Sequence, residues 1–74
     1  MANSIETYHE GGQWKNRPQG NSRASNTHET KAAAQSVGRE MAKDRGAEHI
    51  IKKMDGTIGE RNSYGNDPHP SQAV

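Results

Sequence analysis

The four histidines are the first residues to consider for chemistry, because an imidazole can bind a metal ion or transfer a proton near neutral pH. They are His9, His28, His49 and His69. No two of them have the i, i+4 spacing of a helical zinc site, and the chain has no cysteine to complete a Cys/His set. We therefore expect solvated or hydrogen-bonding histidines, with His49 partly packed against a sheet, and neither a metal ion nor a cofactor.

The serines and glycines do not form a catalytic or a phosphate-binding pattern. Ser25 and Ser63 lack the strand–elbow–helix context that exposes a nucleophilic serine. Gly56, Gly59 and Gly65 fall in a hairpin and a turn, whereas a phosphate-binding loop leads into a helix. The sequence therefore predicts that the chain is not an enzyme, and it does not indicate a small-molecule ligand.

Basic residues near Trp14 suggest a second kind of chemistry, which is contact with phosphates together with stacking on bases. The candidate cations for this surface are Lys15, Arg17, Arg23, Lys52, Lys53 and Arg61. Strand alternation places the first two on one face and Trp14 on the other, so we expect Trp14 in the core. Glu6, Glu48 and Glu60 interrupt the basic stripe. A solvated charged face is the preferred interpretation, and weak nucleic-acid binding is the alternative.

The composition indicates one small domain with a thin core. The chain has 74 residues, of which 27% are hydrophobic, and it contains no cysteine. A core of this size is marginal alone and no disulfide supports it, so we expect self-association, most simply as a homodimer. The formal net charge of +1 is not typical of a dedicated nucleic-acid binder. No apolar run is long enough to cross a bilayer, so we expect a cytoplasmic protein without a membrane partner.

The elements that position these residues begin with a β-hairpin. Residues 4–8 and 13–17 have strand-like alternation, and the pair Gly11-Gly12 between them suits a tight turn. Residues 23–27 are predicted to form a third, polar strand. The first two strands therefore carry Trp14 and two of the candidate cations.

A helix is predicted over residues 31–45. Thr30 is a suitable N-cap, because its hydroxyl can accept a hydrogen bond from a free amide of the first turn. Gly46 suits the left-handed residue that ends a helix. Gly38 is predicted to let the helix approach a strand or a symmetry mate closely. The predicted apolar face consists of Ala33, Ala34, Val37, Met41 and Ala42.

A second hairpin is predicted after the helix. Residues 47–53 form its first strand, Asp55-Gly56 suits a type I′ turn, and residues 57–62 return. The whole order predicts an α+β domain, with one helix on a small antiparallel sheet of four to five short strands. The short strands would leave sheet edges that can pair with another chain.

We expect residues 1–67 to form the single domain and residues 68–74 to form a flexible tail. The segment before the tail, residues 61–68, is polar and rich in turn formers. We interpret it as the structural close of the last hairpin, with Tyr64 packed on the core and followed by Gly65.

Several short motifs occur along the chain in a recognisable order. They are Trp14, Arg23-Ala24-Ser25, Thr30-Lys31-Ala32, Asp55-Gly56, Ile58 and residues 61–68. Together they resemble a prokaryotic family known as domain of unknown function 2188, over about residues 8 to 70. The resemblance implies the fold described above and no established activity, so no catalytic residue can be carried over.

The chain departs from this family pattern at a few positions. Gln13 stands where a glycine usually precedes the tryptophan, and Asn16 stands where an apolar strand residue is usual. Asn62 replaces an acidic residue. These changes are expected to weaken the first hairpin and to remove an ionic role at position 62. We expect a non-enzymatic binding or assembly module that self-associates, with a weak nucleic-acid binder as the alternative.

Overall fold

The computed structural model describes residues 4–64. Within that range, five strands and one helix follow the predicted order. They are β1 Ser4–Glu10, β2 Gln13–Pro18, β3 Asn26–His28, α1 Lys31–Arg45, β4 Glu48–Lys52 and β5 Ile58–Ser63. The predicted α+β class is confirmed, whereas the predicted tail of residues 68–74 lies outside the described residues.

The strands form one sheet in the order β3-β2-β1-β4-β5, and α1 packs against the first four of these strands. Neighbouring strands are antiparallel except for β1 and β4, which are parallel. The predicted antiparallel sheet is therefore confirmed for the other three pairs, and this one pair departs from it. The cause is the crossover through α1, which returns the chain to the end of the sheet where β1 begins, so that β4 runs in the direction of β1.

The strand boundaries differ most from the prediction at β3. This strand covers Asn26–His28 instead of residues 23–27, and its register places Asn26 opposite Asn16 and His28 opposite Trp14. The predicted bounds are therefore wrong: the pairing with β2 begins at Asn26, whose side chain also contacts Asn16 and Met41.

The two hairpin turns have different geometries. Gly11 and Gly12 have φ values of 63° and 81°, as the two central residues of a type I′ turn require. The second turn is not of this type, because Asp55 has no positive φ and Gly56 alone has one, at 91°. The Gly56 amide donates to the Lys53 carbonyl at 2.9 Å, so Met54 and Asp55 become the central residues. The predicted type I′ turn at Asp55-Gly56 is therefore wrong.

Both predicted ends of the helix are confirmed. The Thr30 hydroxyl accepts a hydrogen bond from the Ala33 amide at 3.1 Å, which satisfies one free donor of the first turn. Gly46 has φ 61° and ψ 41°, so it ends the helix in the left-handed conformation. The buried positions of α1 are Ala34, Gly38 and Ala42, whereas Ala33 is exposed, contrary to the predicted apolar face.

The core lies between α1 and the sheet. Ile5, Ala42 and Ala47 form its centre, and Met41 and Tyr64 pack against them. This contact confirms that Tyr64 holds the end of β5 on the core. The buried Trp14 is 8% exposed, which confirms its predicted core position, and the ring lies 4.9 Å from that of His9 between centroids.

Candidate functional site

A cluster of polar side chains lies buried between the sheet and the middle of α1. Thr7, Asn16 and His49 come from the three central strands and are each at most 1% exposed. The Thr7 Oγ1 atom lies 2.6 Å from Asn16 Oδ1 and 2.7 Å from His49 Nε2. A buried polar group without a partner destabilises a fold by about 1–3 kcal/mol, so the mutual pairing of these groups is what permits them in the core.

A backbone carbonyl fixes the direction of every hydrogen bond in this cluster. The Ala34 carbonyl accepts from Asn16 Nδ2 at 2.9 Å, and it cannot donate, so Asn16 Oδ1 must face Thr7. The Thr7 hydroxyl then gives its single proton to Asn16 Oδ1. His49 Nε2 therefore carries a proton and donates it to Thr7 Oγ1.

The cluster continues to β3 and ends at a second histidine. Asn16 Nδ2 also donates to Asn26 Oδ1 at 2.8 Å, and His28 Nε2 lies 3.0 Å from the same oxygen. Because that oxygen can only accept, His28 also holds its proton on Nε2. The other side of the Asn26 amide donates to the Met41 sulfur at 3.5 Å. We call Thr7, Asn16, Asn26, His28 and His49 the buried polar network.

Gly38 of α1 is the position that makes room for the buried polar network. A Cβ atom at Gly38 would lie 2.5 Å from Asn16 Oδ1, 2.6 Å from Thr7 Oγ1 and 2.7 Å from His49 Nε2. The predicted close approach of the helix to a strand at Gly38 is thereby confirmed. The expectation that Asn16 weakens the first hairpin is wrong, because its amide ties β2 to β1, β3 and α1 at once.

Burial controls the protonation of His49. Removal from water lowers the pKa of His49, the positive charge of Arg39 lowers it further, and Glu60 opposes them. The neutral ring agrees with a single proton on Nε2. Because His49 is 1% exposed and its Nε2–H is engaged by Thr7, the network fits a structural role.

Sequence reasoning missed Thr7 and Asn16 as members of a polar network. The available signal was strand parity, since Asn16 lies two residues from Trp14 and Thr7 two residues from Ile5, so both share the core-facing side. His28 and His49 are confirmed as hydrogen-bonding histidines. His69 lies outside the described residues, and within residues 4–64 no group of three or more His, Asp or Glu side chains is placed to hold a metal ion.

The face of the sheet opposite α1 carries mainly charged side chains. By strand alternation and pairing, this open face holds Glu6, Tyr8, Lys15, Arg17, Glu48, Ile50, Lys52 and Arg61. Glu6 lies between two cations, with Oε1 at 3.1 Å from Arg17 and Oε2 at 3.8 Å from Lys52. This hydrogen bond to Glu6 raises the pKa of Arg17, and the Arg17 guanidinium also lies 4.8 Å from the centre of the Tyr8 ring.

The structure does not bring the six candidate cations into one surface. Three of them, on β2 and β4, are ion-paired to acidic residues of β1, including Lys15 with Glu10 at 3.1 Å. Arg23 lies in the connection before β3, at the end of the sheet where β1 begins, whereas Lys53 follows β4 at the opposite end. Arg61 lies on the outermost strand, and within residues 4–64 it has no ion-pair partner.

Strand β5 is one border of the sheet, and it is almost entirely exposed. All of its residues except Asn62 are exposed, and Ile58 is 48% exposed. Met54, in the turn before β5, is 67% exposed. The residues that were expected to have structural roles lie in the core, at the helix caps and in the turn described above. They are Trp14, Thr30, Gly46, Asp55, Gly56 and Tyr64. Gly65 lies outside the described residues.

The alternation of backbone hydrogen bonds shows which groups of β5 face outward. The Tyr64 amide donates to the Ala47 carbonyl at 3.2 Å, so Tyr64 faces β4. In the same register Asn62 and Glu60 also face β4, and the backbone N–H and C=O groups of Arg61 and Ser63 point away from it. We call this outward side of β5 the free edge, since no strand among residues 4–64 pairs with it.

No helix within residues 4–64 has both the length and the apolar character needed to cross a membrane.

The comparisons with curated proteins and with solved structures gave no match. A family model described as "Uncharacterized protein conserved in bacteria (DUF2188)" matches residues 5–64. This range includes the helix, the whole buried polar network and all five strands, apart from Ser4 at the start of β1. The chain therefore belongs to this family of uncharacterised bacterial proteins.

Proposed function

We propose that the chain is a non-enzymatic assembly module that self-associates by pairing the free edge of β5 with the same edge of a second copy. A free strand edge presents unpaired backbone donors and acceptors, which another strand can satisfy. The single observation that carries the proposal is the outward direction of the Arg61 and Ser63 backbone groups, which belong to a strand whose other side pairs with β4.

Two exposed apolar side chains near the free edge also favour self-association. Ile58 begins β5 and Met54 lies in the turn before it, and together they are the large hydrophobic side chains with the greatest exposure in residues 4–64. Burying apolar surface contributes about 25 cal/mol per Å², so a partner that covers part of these two side chains is favoured in proportion to the area covered.

The non-enzymatic part of the proposal rests on how the polar groups are used. The clustered polar side chains of the buried polar network hydrogen-bond to one another. A catalytic group must reach a substrate, and Thr7, Asn16 and His49 are covered by the helix at Gly38.

Light scattering over a concentration series tests the proposal. We expect the mass to rise towards twice that of the single chain, and a mass that stays at one chain up to millimolar concentration would overturn self-association. The variant Ser63→Pro removes one outward N–H without removing a bond to β4, so it should fold and remain monomeric.

Two matched variants separate edge pairing from folding. Ser63→Ala keeps the backbone N–H and should remain dimeric. Asn62→Pro removes an N–H that bonds to β4 and should lower the thermal midpoint sharply. If Ser63→Pro dimerises as strongly as the native chain while retaining native circular dichroism, the two copies associate through some other surface.

A further inference from the structure

We infer that the two copies pair their β5 strands antiparallel in a single register, centred on Asn62, in which Glu48 of one copy forms an ion pair with Arg61 of the other. This inference rests on the proposed function, since it specifies how the free edge is occupied. It follows from symmetry, from the backbone directions along β5 and from the charges beside it.

Two-fold symmetry limits the possible registers. Two identical strands that extend one sheet antiparallel are related by an axis perpendicular to the sheet, which keeps each face of the sheet on the same side. Opposite residues in an antiparallel pair also share a face. One residue must therefore lie opposite its own copy, so the register is named by that central residue.

Among the four β5 residues from Gly59 to Asn62, three are excluded as the central residue by charge and by backbone hydrogen bonds. A centre at Glu60 places two carboxylates directly opposite each other, and a centre at Arg61 does the same with two guanidinium groups, which destabilises the pair. A centre at Gly59 would place Arg61 opposite Thr57. The Thr57 amide already donates to Asp55 Oδ1 at 3.0 Å, and its carbonyl accepts from the Lys53 amide at 2.8 Å, so this register loses its outer hydrogen bonds.

A centre at Asn62 places no like charges opposite each other and keeps the outer backbone hydrogen bonds. It places Arg61 opposite Ser63 of the second copy, and by symmetry Ser63 opposite Arg61. These are the residues whose backbone groups point outward, so each of the two pairs can exchange an N–H and a C=O bond. Glu60 lies opposite Tyr64 of the second copy on the helix side, where the Lys43 ammonium is 5.9 Å from the centre of the Tyr64 ring.

The same register brings together two charges of opposite sign. Within residues 4–64 neither Glu48 nor Arg61 has an ion-pair partner. Glu48 pairs with Ser63 across β4 and β5, and both side chains lie on the open face. Ser63 in turn lies opposite Arg61 of the second copy. Two successive cross-strand spacings place the Arg61 Cα atom about 10 Å from that of Glu48. The short serine side chain leaves room for the two long ones to meet.

Engineered cysteines test the register, because the chain has no cysteine of its own. In a register centred on Asn62, the two Cα atoms at this position are about 4.5 Å apart, which suits a disulfide. Asn62→Cys should therefore form a covalent dimer under mild oxidation. Glu60→Cys is the matched control, and it should not crosslink, because its two copies lie about 13 Å apart along the strands. Crosslinking of Glu60→Cys in place of Asn62→Cys would overturn the register.

Charge reversal tests the ion pair. Glu48→Arg or Arg61→Glu should each raise the dimer dissociation constant about tenfold, since two symmetric contacts become repulsive. The double variant should return to within about threefold of the native value. Glu29→Arg and Arg23→Glu make the same charge changes at exposed sites away from β5 and should leave the dissociation constant unchanged.

The outcomes separate this inference from the proposed function. A native chain that stays monomeric overturns both. If Ser63→Pro abolishes the native dimer, the edge pairing is supported. If, in addition, Asn62→Cys does not crosslink or the double charge variant does not recover, the register is overturned.

Discussion

At the residue scale, the direction of a hydrogen bond decides which form of His49 the fold holds. The proton on His49 Nε2 is donated to Thr7, and burial with Arg39 lowers the pKa of His49, so the folded chain favours the neutral ring. The unfolded chain has no such preference, and its histidine titrates near a pKa of about 6.5. Folding therefore releases a proton from this residue at mildly acidic pH.

The stability of the chain should accordingly fall as pH is lowered from about 7 to about 5. Below about pH 6.5 the unfolded state binds more protons at His49 than the folded state, so the free energy of unfolding rises with pH, by at most ~1.4 kcal/mol per pH unit for one proton. Urea unfolding at a fixed chain concentration measures this slope.

The variant His49→Gln keeps an amide donor for Thr7 and should flatten the slope, whereas His9→Gln should keep it. Arg39 and Glu60 are the charges that act on the ring, and they remain in both variants. An unchanged slope in His49→Gln would mean that another group controls the acid sensitivity.

At the element scale, the close packing of α1 against the sheet depends on a glycine at the point of contact. Gly38 occurs in the buried row of α1 with Ala34 and Ala42, so small residues line the whole contact. The backbone of α1 thereby comes close enough for the Ala34 carbonyl to accept from Asn16.

Gly38→Ala should lower the free energy of unfolding by about 1–3 kcal/mol, because its Cβ would displace three hydrogen-bonded side chains. Helix propensity alone would give a gain of about 1 kcal/mol, so the sign of the change distinguishes the two effects. Ser36→Ala, at an exposed position of α1, is the matched control and should raise stability by a few tenths of a kcal/mol. Thermal and urea unfolding provide the measurement, and a stabilised Gly38→Ala would contradict the tight contact.

Local signals were sufficient to predict several elements. Thr30 and Gly46 determine the ends of α1 through contacts within a few residues, and Gly11-Gly12 form their turn through their own φ values. The turn at Asp55 was mispredicted because its side chain bonds to Thr57 and selects a longer loop.

Long-range features were beyond a single sequence. The parallel pairing of β1 with β4 depends on where the helix returns the chain, and no local pattern encodes that position. The buried polar network needs partners from β1, β2, β3, β4 and α1 together. Asn16 was recognised as unusual for its strand, but its partners become apparent when the elements are assembled.

At the scale of the whole molecule, the arrangement of charge bears on the alternative function. The acidic residues of β1 neutralise the cations on either side, with Glu6 between Arg17 and Lys52. Phosphate contacts need cations that are free to replace counterions. The open face therefore offers little of the basic surface that nucleic-acid binding requires.

We expect a labelled single strand or duplex of DNA to bind with a dissociation constant weaker than about 10⁻⁴ M even at low salt. Glu6→Gln should strengthen binding, because it releases Arg17 and Lys52 while leaving the strand in place. Arg17→Gln in the same background is the control that should reverse the gain. Micromolar binding by the native chain, with a steep loss on adding salt, would favour the nucleic-acid function instead.

The central position of β1 has a consequence for the synthesis of the chain. β1 leaves the ribosome before the other described elements, yet its residues Ser4–Thr7 pair with Glu48–Ile51, which are made after β2, β3 and α1. The meander of β1, β2 and β3 can form early because its pairs are close in sequence, but one side of β1 then has no neighbour until β4 arrives. A truncated product that ends before β4 thus leaves that side of β1 unpaired, whereas β4 covers it in copies that include β4. We therefore expect such fragments to aggregate more readily than copies that include β4.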